Sequence, residues 1–269
     1  MGVPRFFGGV VVLLGVLTAA SVPRLSSQTM GNDGAADRPV LVELFTSEGC
    51  SSCPPADELL IRLERAQPVQ GVDIIAMSEH VDYWNELGWR DPYSSTAFTE
   101  RQEDYRRAFG APTSYTPQMI VDGRTAFVGS LENEARAAIA VAGVEPKALL
   151  RLEFHEDGAA GTQRVDVHVA EMPRGDAGVL ELWMAIAETN LVSNVSRGEN
   201  ARRRLRHTAV VRRLDLVDVL SPLSGSTYRK AIPLTVSPDW DRGQLRVVVF
   251  LQHAVRRHVL GAAQVLLVP

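Results

Sequence analysis

Two cysteines separated by two residues constrain this chain more than any other feature. Cys50-Ser51-Ser52-Cys53 follows a short apolar run, Val40, Leu41, Val42, Leu44 and Phe45, and opens into Pro54-Pro55-Ala56-Asp57-Glu58-Leu59-Leu60. The pattern predicts strand, turn, helix, with both sulfurs at the helix N-terminus. Cys50 and Cys53 are the only cysteines in the chain. The first turn of a helix leaves backbone N–H groups unpaired, and its dipole places partial positive charge there. A thiolate at that point is stabilised and becomes a usable nucleophile near neutral pH. A C-x-x-C just after a buried strand is therefore a cue for thioredoxin-type redox chemistry.

Other uses of the pair fit less well. Structural zinc needs four ligands, and there is no second cysteine pair, while the six histidines show no paired spacing. A purely structural disulfide closing so short a loop contributes only about 2 kcal/mol in the chain-entropy model, a weak staple for a large domain. A soft ion such as Cu(I), which thiolates favour, is the remaining metal alternative, with Cys50, Cys53 and His80 as its holders.

A length of 269 residues allows one large domain or two ordinary ones. The apolar fraction of 45% and charged fraction of 22% are those of a soluble globular protein, and a net charge of -4 gives no general attraction to nucleic acid. Residues 1–25 read as an export signal. Arg5 precedes an apolar stretch from Phe6, followed by the small residues Ala19, Ala20 and Ser21. The stretch is shorter than the ~20 residues of a spanning helix; an uncleaved anchor is the alternative. Residues 26–38, polar and Gly-rich, read as a flexible tether. An exported chain would be periplasmic or secreted, in a compartment where disulfides persist.

Residues 39–145 read as an α/β domain. A helix over Pro54 to Ala66 carries the stripe Leu59, Leu60, Leu63, and an apolar strand follows over Val72 to Ser78. Strand, helix, strand implies a parallel crossover. The aromatic segment from Glu79 to Ser95, with His80, Asp82 and Trp84, would then lie on the active face of an open sheet. A helix over Thr96 to Phe109 follows. Pro117, just before a strand, is expected to be cis. Asp122-Gly123 marks a hairpin, and Leu131 to Ala142 a final helix. Residues 146–269 show short alternating runs with turn signals, which predict a mainly antiparallel, sandwich-like β region. The basic insert from Asn190 to His207, with Arg197, Arg202, Arg203, Arg204 and Arg206, reads as a solvated loop, with a site for an anionic ligand or partner as the alternative. It lacks the interleaved aromatics of nucleic-acid stacking.

Cys50-Ser51-Ser52-Cys53 and Thr116-Pro117 together resemble the thioredoxin superfamily. Glu43 through Asp57, His80-Val81-Asp82-Tyr83-Trp84 and Tyr115-Thr116-Pro117-Gln118 are similar to a family of secreted bacterial thioredoxin-like proteins known as domain of unknown function 1223. The resemblance spans about Val40 to Leu260. It implies a thioredoxin-like domain followed by a β-rich one, with Cys50 as nucleophile and Cys53 as resolving thiol. Pro117 would face the pair, and Thr116, with Tyr115 beside it, would offer edge-strand hydrogen bonds to a substrate peptide. Two departures stand out. Gly49 replaces the tryptophan that thioredoxins carry before the first cysteine, and Glu48 would oppose a thiolate if it points inward.

The resulting expectation is an exported thiol-disulfide oxidoreductase with no cofactor beyond its own Cys50–Cys53 disulfide. It would act on thiol- or disulfide-bearing proteins and be reset by an external redox partner, with His80 or Asp82 as possible proton shuttles. Its rivals are a non-catalytic binding module of the cell envelope and a copper-handling protein.

Overall fold

The strand β1, Arg38–Thr46, is buried on both faces from Val40 onward, which only a central strand can be. In the computed structural model, which describes residues 1–4, 37–157, 162–170, 178–221 and 227–267, it pairs in parallel with β2, Val72–His80, and antiparallel with β3, Gln118–Val121. The helix α1, Pro54–Ala66, joins β1 to β2. Proline in its first turn needs no N–H partner, and Gln67 closes its far end in a left-handed conformation at φ 45°. Leu59, Leu60 and Leu63 pack on Val42, Leu44 and Ile74 in one core.

The helix α2, Thr96–Phe109, starts on Ser95, whose hydroxyl accepts the Ala97 N–H, and stops at Gly110. After it come β3, β4 (Thr125–Val128) and α3 (Glu132–Val144). Asp122 and Gly123 both have positive φ, as a two-residue type I′ hairpin requires. A Cβ on Gly123 would fall 1.8 Å from the Arg257 carbonyl oxygen, so the turn is pressed against chain from much later in the sequence. The Thr116–Pro117 peptide bond is cis.

The expected fold class, a thioredoxin-like α/β domain followed by a sandwich-like β region, does not hold. Strand outweighs helix about two to one among the described residues, and one mixed sheet runs through both halves. The later strands are β5 (Leu149–Asp157), β6 (Thr162–Ala170), β7 (Leu180–Glu188), β8 (Leu191–Asn194), β9 (Arg204–His207), β10 (Val210–Leu220), β11 (Tyr228–Leu234), β12 (Leu245–His253) and β13 (Val259–Leu266). Eight strands form a single sheet in the order β13-β12-β7-β10-β2-β1-β3-β4. The seam is the parallel pair β10 and β2, where Val210 faces Ser78 and the Ser78 N–H donates to the Ala209 carbonyl at 2.8 Å. Leu41, Ile75, Met77 and Phe98 from the first half share a core with Ala185, Val211, Val248 and Phe250 from the second. From Asp37 onward the described chain belongs to one compact unit.

The physical reason is that period-two alternation reports a strand's two faces but not its neighbour. A half-buried strand reads the same in a separate sandwich as on the flank of a shared sheet. β5, β6 and β11 form a second, three-stranded sheet that covers Leu182, Met184, Val247 and Val249 of the large one. The basic insert is not a loop: β8 and β9 pair as a hairpin. The expected export signal and tether fall almost wholly on residues 5–36, outside the described residues. Among the described residues no helix is long and apolar enough to cross a membrane.

Candidate functional site

Cys50 and Cys53 form a disulfide, with Cα atoms 5.5 Å apart, at the start of α1. Cys53 is the cap residue, and its carbonyl accepts the Ala56 and Asp57 N–H groups. Ser51 and Ser52 are exposed, yet both cysteines are fully buried. Cys50 Sγ lies 3.3 Å from Ser52 Oγ, which in turn lies 3.5 Å from the Thr116 carbonyl oxygen. Trp84 closes the other side: its Nε1–H donates to Thr116 Oγ1 at 2.8 Å. A Cβ at Gly49 would meet the Trp84 Cβ at 3.0 Å, so a side chain there would push Trp84 away. The glycine that departs from the thioredoxin pattern makes room for this tryptophan.

The hairpin of β8 and β9 covers the cysteine loop. The Asn200 side-chain amide, buried at the hairpin tip, donates at 2.9 Å to both the Glu48 and the Cys50 carbonyls. The Ser51 N–H donates to the Glu199 carboxylate at 3.1 Å. These contacts span about 150 residues of sequence, and no local pattern announces them; the only available signal was that the insert is unusually polar.

Below the disulfide lies a buried acid–base network. Glu48 accepts the Trp89 indole N–H at 2.8 Å, and its other oxygen lies 3.1 Å from His207 Nε2. The Glu48 N–H donates to Asp91 Oδ2, which also lies 2.7 Å from His80 Nδ1. The His80 and His207 rings meet edge to face at 4.9 Å. Asp57, in the first turn of α1, accepts the Thr46 hydroxyl at 2.8 Å, and its other oxygen is 4.0 Å from His207 Nδ1. Burial pushes the Asp57 carboxyl up to about 7, against the opposing pull of His207 and Thr46. Burial also pushes Asp91 up, but His80 and two backbone N–H groups outweigh it and hold that carboxyl below its ordinary value. His80 Nε2 and His207 Nδ1 are buried without a hydrogen-bond partner. Asp57 thus sits one helical turn from Cys53 as a group able to hold a proton near neutral pH. Asp57, Asp91, Glu199, Asn200 and His207 all escaped the sequence reading.

The structure therefore brings Cys50, Cys53, Trp84 and Thr116 together, with Glu48 and His80 in the layer beneath. Asp82 belongs elsewhere. Its carboxylate accepts the Thr96 and Thr99 hydroxyls at 2.6 Å each and secures the first turn of α2, and those two bonds hold it below the ordinary carboxylate range. Pro117 accepts the Gly129 N–H through its carbonyl, and the Tyr115 carbonyl accepts the Gln102 amide at 2.8 Å. The grouping of Cys50, Cys53 and His80 around a soft ion is not formed: the sulfurs bond each other and His80 faces Asp91. Among the described residues no three His, Cys, Asp or Glu side chains cluster as metal ligands.

Comparison with known proteins adds the following. Residues 41–252 match the family model described as a protein of unknown function, DUF1223. No curated protein matches the chain. A crystal structure of a protein from Agrobacterium tumefaciens is 27% identical, with a TM-score of 0.65, over 87% of this chain and 96% of that one. The structure of HBP35 of Porphyromonas gingivalis gives a TM-score of 0.63 over 87% of this chain and 76% of that one, at 13% identity, a likeness of fold alone.

Proposed function

For this chain, which belongs to the DUF1223 family of proteins of unknown function, we propose thiol–disulfide exchange with partner proteins, carried by the Cys50–Cys53 disulfide. The observation behind this reading is the disulfide's position on the first turn of α1, flanked by exposed Ser51 and Ser52 and by the Thr116 carbonyl. A partner thiolate attacks Cys50 Sγ. The intramolecular S–S bond breaks, a mixed disulfide forms, and Cys53 leaves as a thiolate that the helix N-terminus stabilises. A second partner thiolate displaces Cys50, so the partner leaves as a disulfide and the pair holds its two electrons. Run backward, the same steps reduce a partner disulfide. Asp57, whose carboxyl burial pushes up to about 7, provides a proton store one helical turn from Cys53. An external dithiol or disulfide resets the pair, and export, expected from residues 1–25, would place the exchange outside the cytoplasm.

A second reading rests on the burial of both sulfurs: the pair staples a non-catalytic module. Dithiothreitol added to the native protein separates the two. The exchange reading expects two titratable thiols to appear without unfolding, and a Cys50→Ser variant to lose all turnover of a model dithiol. A disulfide that yields to reductant only after denaturation would sink exchange and leave the module.

A further inference from the structure

The hairpin of β8 and β9 is more than a cover. Between Arg197 and Arg206 it carries five arginines and a single acidic residue, Glu199, in a chain whose overall charge is -4. Arg197, Arg202, Arg204 and Arg206 are exposed and have no carboxylate partner among the described residues; Arg203 donates to Asn200 Oδ1. At the base of the hairpin Arg206 lines a cleft of about 360 Å³ with Ile61, Arg62, Arg65, Glu132 and Arg136, four guanidinium groups to one carboxylate. This positive surface touches the cysteine loop through Asn200 and Glu199. We propose that the hairpin is the docking surface of the redox partner, and that this partner is a polypeptide with an acidic segment beside its own cysteines. The proposal rests on the exchange reading above and names its partner class.

Three observations carry it. Charge complementarity is the first: unpaired arginines beside a reactive centre favour encounter with an anionic chain and disfavour a cationic one. The second is Glu199 itself. Its carboxylate already sits on the Ser51 N–H, and the hydrogen bonds from Ser51 hold it below the usual carboxylate range. A carboxylate therefore fits that donor, and a partner's acidic side chain takes the same place when Glu199 swings out. The third is the construction of the hairpin. β8 pairs only with β9, outside the eight-stranded sheet. Left-handed residues bound it on both sides, Asn190 at φ 61° and Ala209 at φ 50°. Its tip is held to the cysteine loop by side-chain hydrogen bonds and not by a strand ladder.

The test uses the full chain and two short peptides, each with a dithiol Cys-x-x-Cys, one flanked by aspartates and one by lysines. At low ionic strength the acidic peptide is expected to reduce the Cys50–Cys53 disulfide about tenfold faster than the basic one, with the gap closing at high salt. Arg197→Gln, Arg204→Gln and Arg206→Gln combined should collapse the gap, and the three Arg→Glu changes should invert it. Serine versions of both peptides, labelled for fluorescence anisotropy, read docking without chemistry: only the acidic one should bind. Dithiothreitol on the unaltered protein reads the redox competence alone. Equal rates and equal binding for the two peptides, with dithiothreitol still effective, would overturn the docking surface. Failure of every thiol, with the acidic serine peptide still bound, would overturn exchange and keep the surface.

Discussion

Two buried polar clusters lie on the central strands, and they are built from different groups. The one beneath the disulfide joins Glu48, Asp57 and Asp91 to His80 and His207. The other, farther from the disulfide, is organised around Arg101 of α2. Its guanidinium lies 2.6 Å from Glu43 and 3.4 Å from Glu79. It also donates to the Tyr105 hydroxyl and to Gln252 of β12, both at 3.1 Å. The Tyr105, Trp183 and Phe250 rings close over it at 5.0 to 5.5 Å. Burial, and then the neighbouring Glu43, push the Glu79 carboxyl well above its ordinary value, against the pull of Arg101 and Arg257. The difference is instructive. Where the sheet joins its two halves, the fold uses a permanent charge with a full set of donors. Where the disulfide sits, it uses imidazoles and carboxylates, among them Asp57, whose carboxyl burial pushes up to about 7.

Removing Arg101 is the hardest test of that contrast. An Arg101→Met change removes the guanidinium that contacts both Glu43 and Glu79, and breaking a buried pair in this way typically costs about 3–5 kcal/mol. His207→Gln removes one imidazole and leaves Glu48 with its Trp89 bond, at a cost of about 1–3 kcal/mol. Urea unfolding of both variants ranks them, and equal losses would erase the distinction drawn here.

The second cluster's opposite number can be read through pH. In the folded protein Asp57 keeps its proton to about pH 7, while in the unfolded chain it releases it near 3.8. Between those values the folded state binds the extra proton. Stability therefore falls as pH rises from about 4 to about 7, with a slope approaching 1.4 kcal/mol per pH unit, and levels off above. Asp91, held low, acts in the opposite sense and only below its unfolded value. Unfolding midpoints measured across that range should decline in the parent protein and decline less steeply in Asp57→Asn, where Glu79 keeps its own share of the fall. A slope unchanged by the substitution would show that Asp57 does not hold the extra proton.

Much of this arrangement was written locally and the rest was not. The strand β1, the prolines opening α1 and the Asp122-Gly123 turn are set by residues close in sequence, and each lies where the pattern placed it. The Thr116–Pro117 bond is cis as expected. The second partner of β2 and the cover of the cysteine loop depend on contacts across 130 residues or more, such as Val210 with Ser78 and Asn200 with Cys50. Alternation in β7, β10 and β12 is the same whether they flank β2 or build a sandwich. His80 and Asp82 illustrate the same limit at the scale of one turn. They lie two residues apart, yet β2 ends at His80, which stays inside, while Asp82 belongs to the outgoing chain and turns to α2.

Asp82 yields the smallest effect and the cleanest separation of structure from chemistry. Its carboxylate accepts two threonine hydroxyls of the first turn of α2, and its own N–H donates back to Thr99 Oγ1 at 3.2 Å. An acidic group so placed also favours the positive end of the helix. Asp82→Ala should therefore cost about 1 kcal/mol of stability, in the range of a lost helix cap. The rate at which a small dithiol reduces the native disulfide should stay the same, because nothing connects the Asp82 side chain to Cys50 or Cys53. A change in that rate, or in its pH profile, without a matching loss of stability would return Asp82 to the proton path and move the boundary of the disulfide's network out to α2.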